Sequence, residues 1–124
     1  MTAALLTADG LVKTFGVGGG LFGSHDTVHA LSGVSFDLSP AEMLAIVGES
    51  GCGKSTLARC LVGLTSLAEG ILVLGGRDSR EFLRQDFQGF HRFIQIVFQD
   101  PYASLNPRRT IQQSIADALR LHRI

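Results

Sequence analysis

Gly48-Glu49-Ser50-Gly51-Cys52-Gly53-Lys54-Ser55 fits G-x-x-x-x-G-K-[ST], the P-loop or Walker A pattern that cradles the phosphates of a nucleotide. Its surroundings are those the pattern requires. Met43-Leu44-Ala45-Ile46-Val47 is a short, continuous apolar run, which predicts a buried strand of a parallel sheet. After Ser55, Leu57 with Leu61 and Ala58 with Val62 repeat at helical spacing, so a helix is predicted to leave the loop.

The residue types follow from the chemistry. Glycines let the backbone take positive φ and approach a ligand with no Cβ in the way. Successive N–H groups then point inward as an anion nest, and the helix start adds its positive dipole end. Lys54 would reach the β and γ phosphates, and the Ser55 hydroxyl would ligate Mg2+. The chain holds two lysines, Lys13 and Lys54, against nine arginines. A lysine falling here, where a compact ammonium suits better than a planar fork, is informative. The competing explanation, a glycine-rich turn that matches by accident, leaves the flanking strand and helix patterns as coincidence.

Composition narrows the class. At 124 residues one domain with a modest core is expected. No apolar run reaches the length of a spanning helix, and Met1 to Leu6 lacks the basic start of a signal peptide. Eleven basic and eleven acidic side chains argue against nucleic acid as the main partner. Cys52 and Cys60 show no CxxC spacing, so a reduced, cytosolic chain is the simple expectation.

Working outward, Leu5 to Phe15 alternates and is predicted as an edge strand. Gly16 to Thr27 reads as a glycine-rich loop in which Phe22 covers local surface. His29 to Leu38 alternates Val34, Phe36 and Leu38 against Ser35, Asp37 and Ser39, a half-buried strand broken by Pro40. Gly63 to Gly70 is a connector, Ile71 to Leu74 a strand, and Arg77 to Arg92 a surface helix packed by its phenylalanines. Ile94 to Phe98 is again strand-like and stops at Gln99-Asp100-Pro101. Tyr102 to Arg109 is a loop. Thr110 with Gln113 forms a capping box for a helix whose apolar face carries Ile111, Ile115, Ala118 and Leu119 through to Leu121. The expected fold is α/β: a P-loop NTPase core with an N-terminal antiparallel β part, truncated before the helical subdomain and the remaining sheet are complete.

Hydrolysis needs more than a phosphate cradle; it needs another metal ligand and something to orient water. Asp100 and Asp78 each follow an apolar run without terminating it directly, and neither is followed by Glu. Gln99 is the better candidate, because a neutral amide at a strand tip can hold a metal or water without titrating. His25, His29, His91 and His122 read as solvated surface, and the Cys52 thiol as incidental.

Together, Val47 to Leu57 and the downstream Val97-Phe98-Gln99-Asp100-Pro101-Tyr102-Ala103-Ser104-Leu105-Asn106-Pro107-Arg108 resemble the ATP-binding subunit of ABC transporters. The second stretch is similar to the oligopeptide/dipeptide importer branch, which includes nickel and glutathione uptake systems. Leu31 to Phe36 and the glycine-rich loop before it look like the same branch. The resemblance covers nearly the whole chain, residues 1–124 being a partial ATP-binding domain. It implies that Gly48, Glu49, Ser50, Gly51, Cys52, Gly53, Lys54, Ser55 and Thr56 bind ATP, with Ser55 and Gln99 on Mg2+ and with Lys54 and Gln99 serving hydrolysis.

Gln99 would be the Q-loop glutamine leading to a helical subdomain that docks on the membrane permease, with Tyr102 to Arg109 near the contact. Phe15 aligns with the aromatic that stacks on adenine, where the family more often has Tyr. Ala41 stands where the family usually has Gly. The resemblance further implies a second ATP-binding subunit arranged head to tail, and a place on the inner face of the plasma membrane. The family's LSGGQ signature, Walker B aspartate with its catalytic glutamate, D-loop and switch histidine belong to sequence after that given. The expectation is therefore an N-terminal piece that binds nucleotide weakly and does not turn it over. Two other readings stay open: a non-catalytic nucleotide- or permease-binding module, and a different P-loop NTPase with Asp100 as its metal ligand.

Overall fold

A computed structural model describes residues 3–17 and 26–124; the expectation for Phe22 and most of its loop lies outside them. Strands β1 (Leu6–Val17) and β2 (Asp26–Leu38) form a long antiparallel pair. Helix α1 (Lys54–Leu61) leaves the glycine-rich loop. Strand β3 (Glu69–Leu74) returns antiparallel to β1, and the short β4 (Arg77–Asp78) pairs with β3. The sheet order is β2-β1-β3-β4. β1 is thus an inner strand, not the edge its alternation predicts. Its two ladders explain why Leu6, Ala8 and Leu11 are buried.

The polar stretch after β4 folds into two helices, α2 (Ser79–Gln85) and α3 (Phe87–Phe93), each started by an aspartate cap. Asp78 accepts from the N–H groups of Arg80 and Glu81, and Asp86 from that of Gly89. Such caps satisfy helix-start donors that have no partner within the helix. Phe82 packs edge-on against Phe90 and Phe93, with ring centroids 5.6 and 6.0 Å apart, so the aromatics join two helices rather than lining one. Phe82 and Phe90 meet Leu57 and Cys60 of α1 and Leu72 and Leu74 of β3 in a single core beneath the sheet. The one-turn α4 (Pro101–Ser104) follows, and α5 (Ile111–His122) begins at Thr110 with the predicted capping box intact.

Two predicted strands make no ladder. Residues 43–47 and 94–98 lie outside every strand, and Val47 and Val97 are 88% and 98% exposed. A parallel strand that is apolar on both faces is stable only with neighbours on both sides, and among the described residues none pairs with either run. The antiparallel part is therefore assembled, with β1 inside it and β4 added, while among the described residues the parallel core is not. The apolar face of α5 is open as well, with Ile111, Ile115, Leu119 and Leu121 all exposed.

Candidate functional site

The loop closes on itself through Lys54. Its ammonium donates to the carbonyl oxygens of Gly48 and Glu49, both at 2.7 Å, and lies 3.3 Å from Cys52 Sγ. Its charge is thereby held inside the ring of backbone that it stabilises. Gly53 is the N-cap of α1 with φ 98° and no side-chain cap, so the first N–H groups of the helix face outward without an internal acceptor. A side chain at Gly53 would also strike the carbonyl oxygen of Ala30 on β2. Both the left-handed backbone and this close approach require glycine there.

Ser50, Gly51, Gly53, Lys54, Ser55 and Thr56 line one cavity of about 490 Å³, together with Gln99 and with Val28, His29 and Ala30 of β2. The loop donors, the hydroxyl and the amide expected to cooperate are therefore brought into one space, though Gln99 is 44 positions beyond Ser55. Gly48, Glu49 and Cys52 are not part of that lining; they form the ring around Lys54. Phe15 is 42% exposed and is paired with Val28 in the β1–β2 ladder. It stands beside the cavity wall rather than in it, with Lys13 Nζ 5.1 Å from its ring centroid.

A magnesium ion fits the donors at hand. Mg2+ takes hard oxygen ligands, keeps several waters and is commonly held by one or two protein groups plus substrate phosphates. Ser55 and Gln99 offer neutral oxygens at one cavity. Among the described residues no group of three or more His, Cys, Asp or Glu side chains is placed to hold a metal, so these two would hold the ion together with phosphate oxygens.

The aspartates weighed against Gln99 have other work. Asp78 caps α2. Asp100 accepts from the N–H groups of Tyr102 and Ala103 at 2.9 and 3.2 Å, which starts α4. Asp100 also borders a second, larger cavity of about 610 Å³ that includes Ser55, Arg59, Gln99 and the exposed run 96–98, but its Oδ1 is committed to the cap.

The two thiols differ for physical reasons. The Lys54 ammonium, hydrogen-bonded to Cys52, holds that exposed thiol below its ordinary range, since the positive charge favours thiolate. Burial in the core pushes the Cys60 thiol up.

His91 and His122 depart from the solvated-surface expectation, whereas His29 is exposed as expected. His91 is edge-on to Phe87 and Phe90, at 4.4 and 5.2 Å between centroids. His122 Nδ1 is buried without a hydrogen-bond partner among the described residues. His29 borders the phosphate-loop cavity, a placement its sequence neighbourhood does not signal. His25 lies outside the described residues.

Comparison with known proteins gives a consistent result. The profile of the family described as ABC transporter matches residues 31–123. The chain is 44% identical over 118 residues to the di/tripeptide transport ATP-binding protein DppF of Pseudomonas aeruginosa, covering 95% of this chain and 36% of the relative. It is 44% identical over 119 residues to the glutathione import ATP-binding protein GsiA of Salmonella paratyphi A, covering 95% of this chain and 19% of that one. With GsiA of Escherichia coli K12 the identity is 48% over 95 residues, 77% of this chain and 15% of the relative. The chain thus spans about a third or less of the length of these relatives.

Proposed function

The chain belongs to the ABC transporter family, and from that premise we propose that it is the ATP-binding front of an importer's motor subunit. The observation that carries this reading is the shared cavity, where the loop from Ser50 to Thr56 faces Gln99. The N–H groups of the loop and the start of α1 bind the phosphates, and Lys54 exchanges loop carbonyls for β and γ phosphate oxygens. Ser55 and Gln99 would hold Mg2+, which when bound would supply neutralising charge for the phosphates. Phe15 takes the adenine ring on the exposed face beside Val28.

In the whole protein this front energises import of peptides or of similar small solutes such as glutathione, the cargoes named for the relatives. The partners are a membrane permease, contacted near Tyr102 to Arg109, and a second ATP-binding subunit. Tyr102 and Leu105 are exposed and suit such a contact. Among the described residues no helix is long and apolar enough to cross a membrane; membrane attachment would run through the permease, on the cytoplasmic face. The chain by itself binds Mg·ATP and does not turn it over. Titration with a fluorescent ATP analogue, paired with a phosphate-release assay, tests both halves. Binding lost in Lys54→Ala, with no release above that variant, is expected; release above it overturns the reading of the isolated chain.

A further inference from the structure

The register of the β1–β2 ladder decides which side chains share the sheet face that carries α1. Lys13 pairs with Leu31, and residues directly opposite in an antiparallel ladder point to the same face. Leu31 joins Leu57 and Cys60 of α1 in the core, so Lys13 lies on the α1 side. Side chains alternate along a strand, so Phe15, two residues on, returns to that side together with its partner Val28. The extra residue of the intervening bulge, Ala30, belongs to β2, which leaves the alternation of β1 intact. The Lys13 ammonium accordingly stands 5.1 Å from the centroid of the Phe15 ring. Burial pushes the Cys60 thiol up, and the Lys13 charge reaches that thiol from the same side and partly offsets the rise.

Lys13 is half-buried and makes no ion pair among the described residues. A half-buried ammonium is held by the negative potential nearest to it, and here that is the π face of Phe15. Val28, opposite Phe15, lines the cavity that also holds the phosphate loop. We infer that Lys13 is a positioning residue for the base of the nucleotide. Its ammonium holds one face of the Phe15 ring and leaves the other for a purine. The cation also draws π density from the ring, which favours stacking on an electron-rich base such as adenine. This rests on the nucleotide-binding reading above and deepens it at the base end. Lys13 acts through Phe15, whereas Lys54 serves the phosphates.

The test is competition of unlabelled Mg·ATP and of magnesium-bound inorganic tripolyphosphate against a fluorescent ATP analogue, on the chain and on variants matched for folding by circular dichroism. Lys13→Met is expected to weaken Mg·ATP about twofold to fivefold, the worth of one exposed cation–π contact, and to leave tripolyphosphate unchanged. Lys13→Gln serves the same comparison should the methionine variant not fold. Lys13→Arg, which keeps a cation able to lie over the ring, is expected to restore most of the loss. In a Phe15→Leu background, Lys13→Met should cost nothing further. Unchanged Mg·ATP binding in Lys13→Met, an equal loss of both ligands, or a loss that persists without the ring overturns the inference and leaves the nucleotide-binding reading standing. Equal Mg·ATP binding by the parent chain and Lys54→Ala overturns both.

Discussion

Gly53 and Ala30 meet backbone to backbone: the α-carbon of the loop glycine lies against the carbonyl oxygen of the strand residue, with no room for a methyl between them. This contact locks the phosphate loop to β2 and makes the glycine necessary twice over, by φ and by packing. Gly53→Ala is expected to destabilise the fold by about 2–4 kcal/mol, from left-handed strain plus overpacking against an unyielding backbone. Urea denaturation would show a lower midpoint, and nucleotide binding should fall with it. A midpoint equal to the parent's would remove this account of the loop.

Lys54 and Cys52 give a second, chemical readout of the same geometry. The ammonium hydrogen-bonded to Sγ stabilises the thiolate, so alkylation of Cys52 by iodoacetamide should reach half its limiting rate below the pH of about 8.5 typical of a free thiol. As pH falls through that lowered value the thiolate is protonated and the rate drops. Lys54→Met removes the charge and should move the half-point upward. Mg·ATP should protect the parent chain. Buried Cys60 should stay unreactive until the protein unfolds.

Gln99 and Asp100 are neighbours in the chain, but Asp100 Oδ1 already caps α4, whereas Gln99 lines the phosphate-loop cavity. Gln99→Ala is expected to reduce the Mg2+-dependent part of ATP binding about threefold to tenfold. Asp100→Asn should leave it unchanged, because asparagine caps α4 as well as aspartate does. Nucleotide titrations with Mg2+ and with EDTA would distinguish them. The reverse pattern would favour a P-loop NTPase of another kind, with Asp100 as the ligand.

Ala41 is a residue in the wrong conformation for its side chain. In the turn Ser39-Pro40-Ala41-Glu42, closed by Glu42 N–H to Ser39 O at 3.2 Å, Ala41 has φ 61°. Proline followed by a positive-φ position is the type II arrangement that favours glycine. Relief of the strain, less the entropy glycine adds to the unfolded chain, should make Ala41→Gly more stable by about 0.5–1 kcal/mol. Thermal or urea denaturation would measure it.

Much of this was legible in the sequence because it is local. The phosphate loop, α1 and the Thr110–Gln113 capping box each depend on residues within a few positions of one another, and each forms as its spacing predicts. The alternation of Val34, Phe36 and Leu38 also gives β2. Long-range facts were not legible. Whether β1 is inner or edge depends on β3, some 60 residues later, and alternation alone cannot report a second ladder. Met43 to Val47 and Ile94 to Phe98 carry the composition of buried parallel strands, but composition does not supply their neighbours. Among the residues that line the cavity, Ser50, Gly51, Gly53 to Thr56 and Gln99 could be named beforehand. His29 could not, since its place at the cavity depends on a register step between two strands.

The central claim is that the amides from Ser50 to Thr56 form a pocket for polyphosphate. Amide NMR of the 15N-labelled chain during titration with Mg·ATP tests it residue by residue. The account predicts large, saturable shifts for Gly51, Gly53, Lys54 and Ser55, smaller ones for His29 and Gln99, and none of these in Lys54→Ala. Unmoved loop amides in a folded sample at millimolar Mg·ATP, or shifts that cluster elsewhere on the chain, would contradict it.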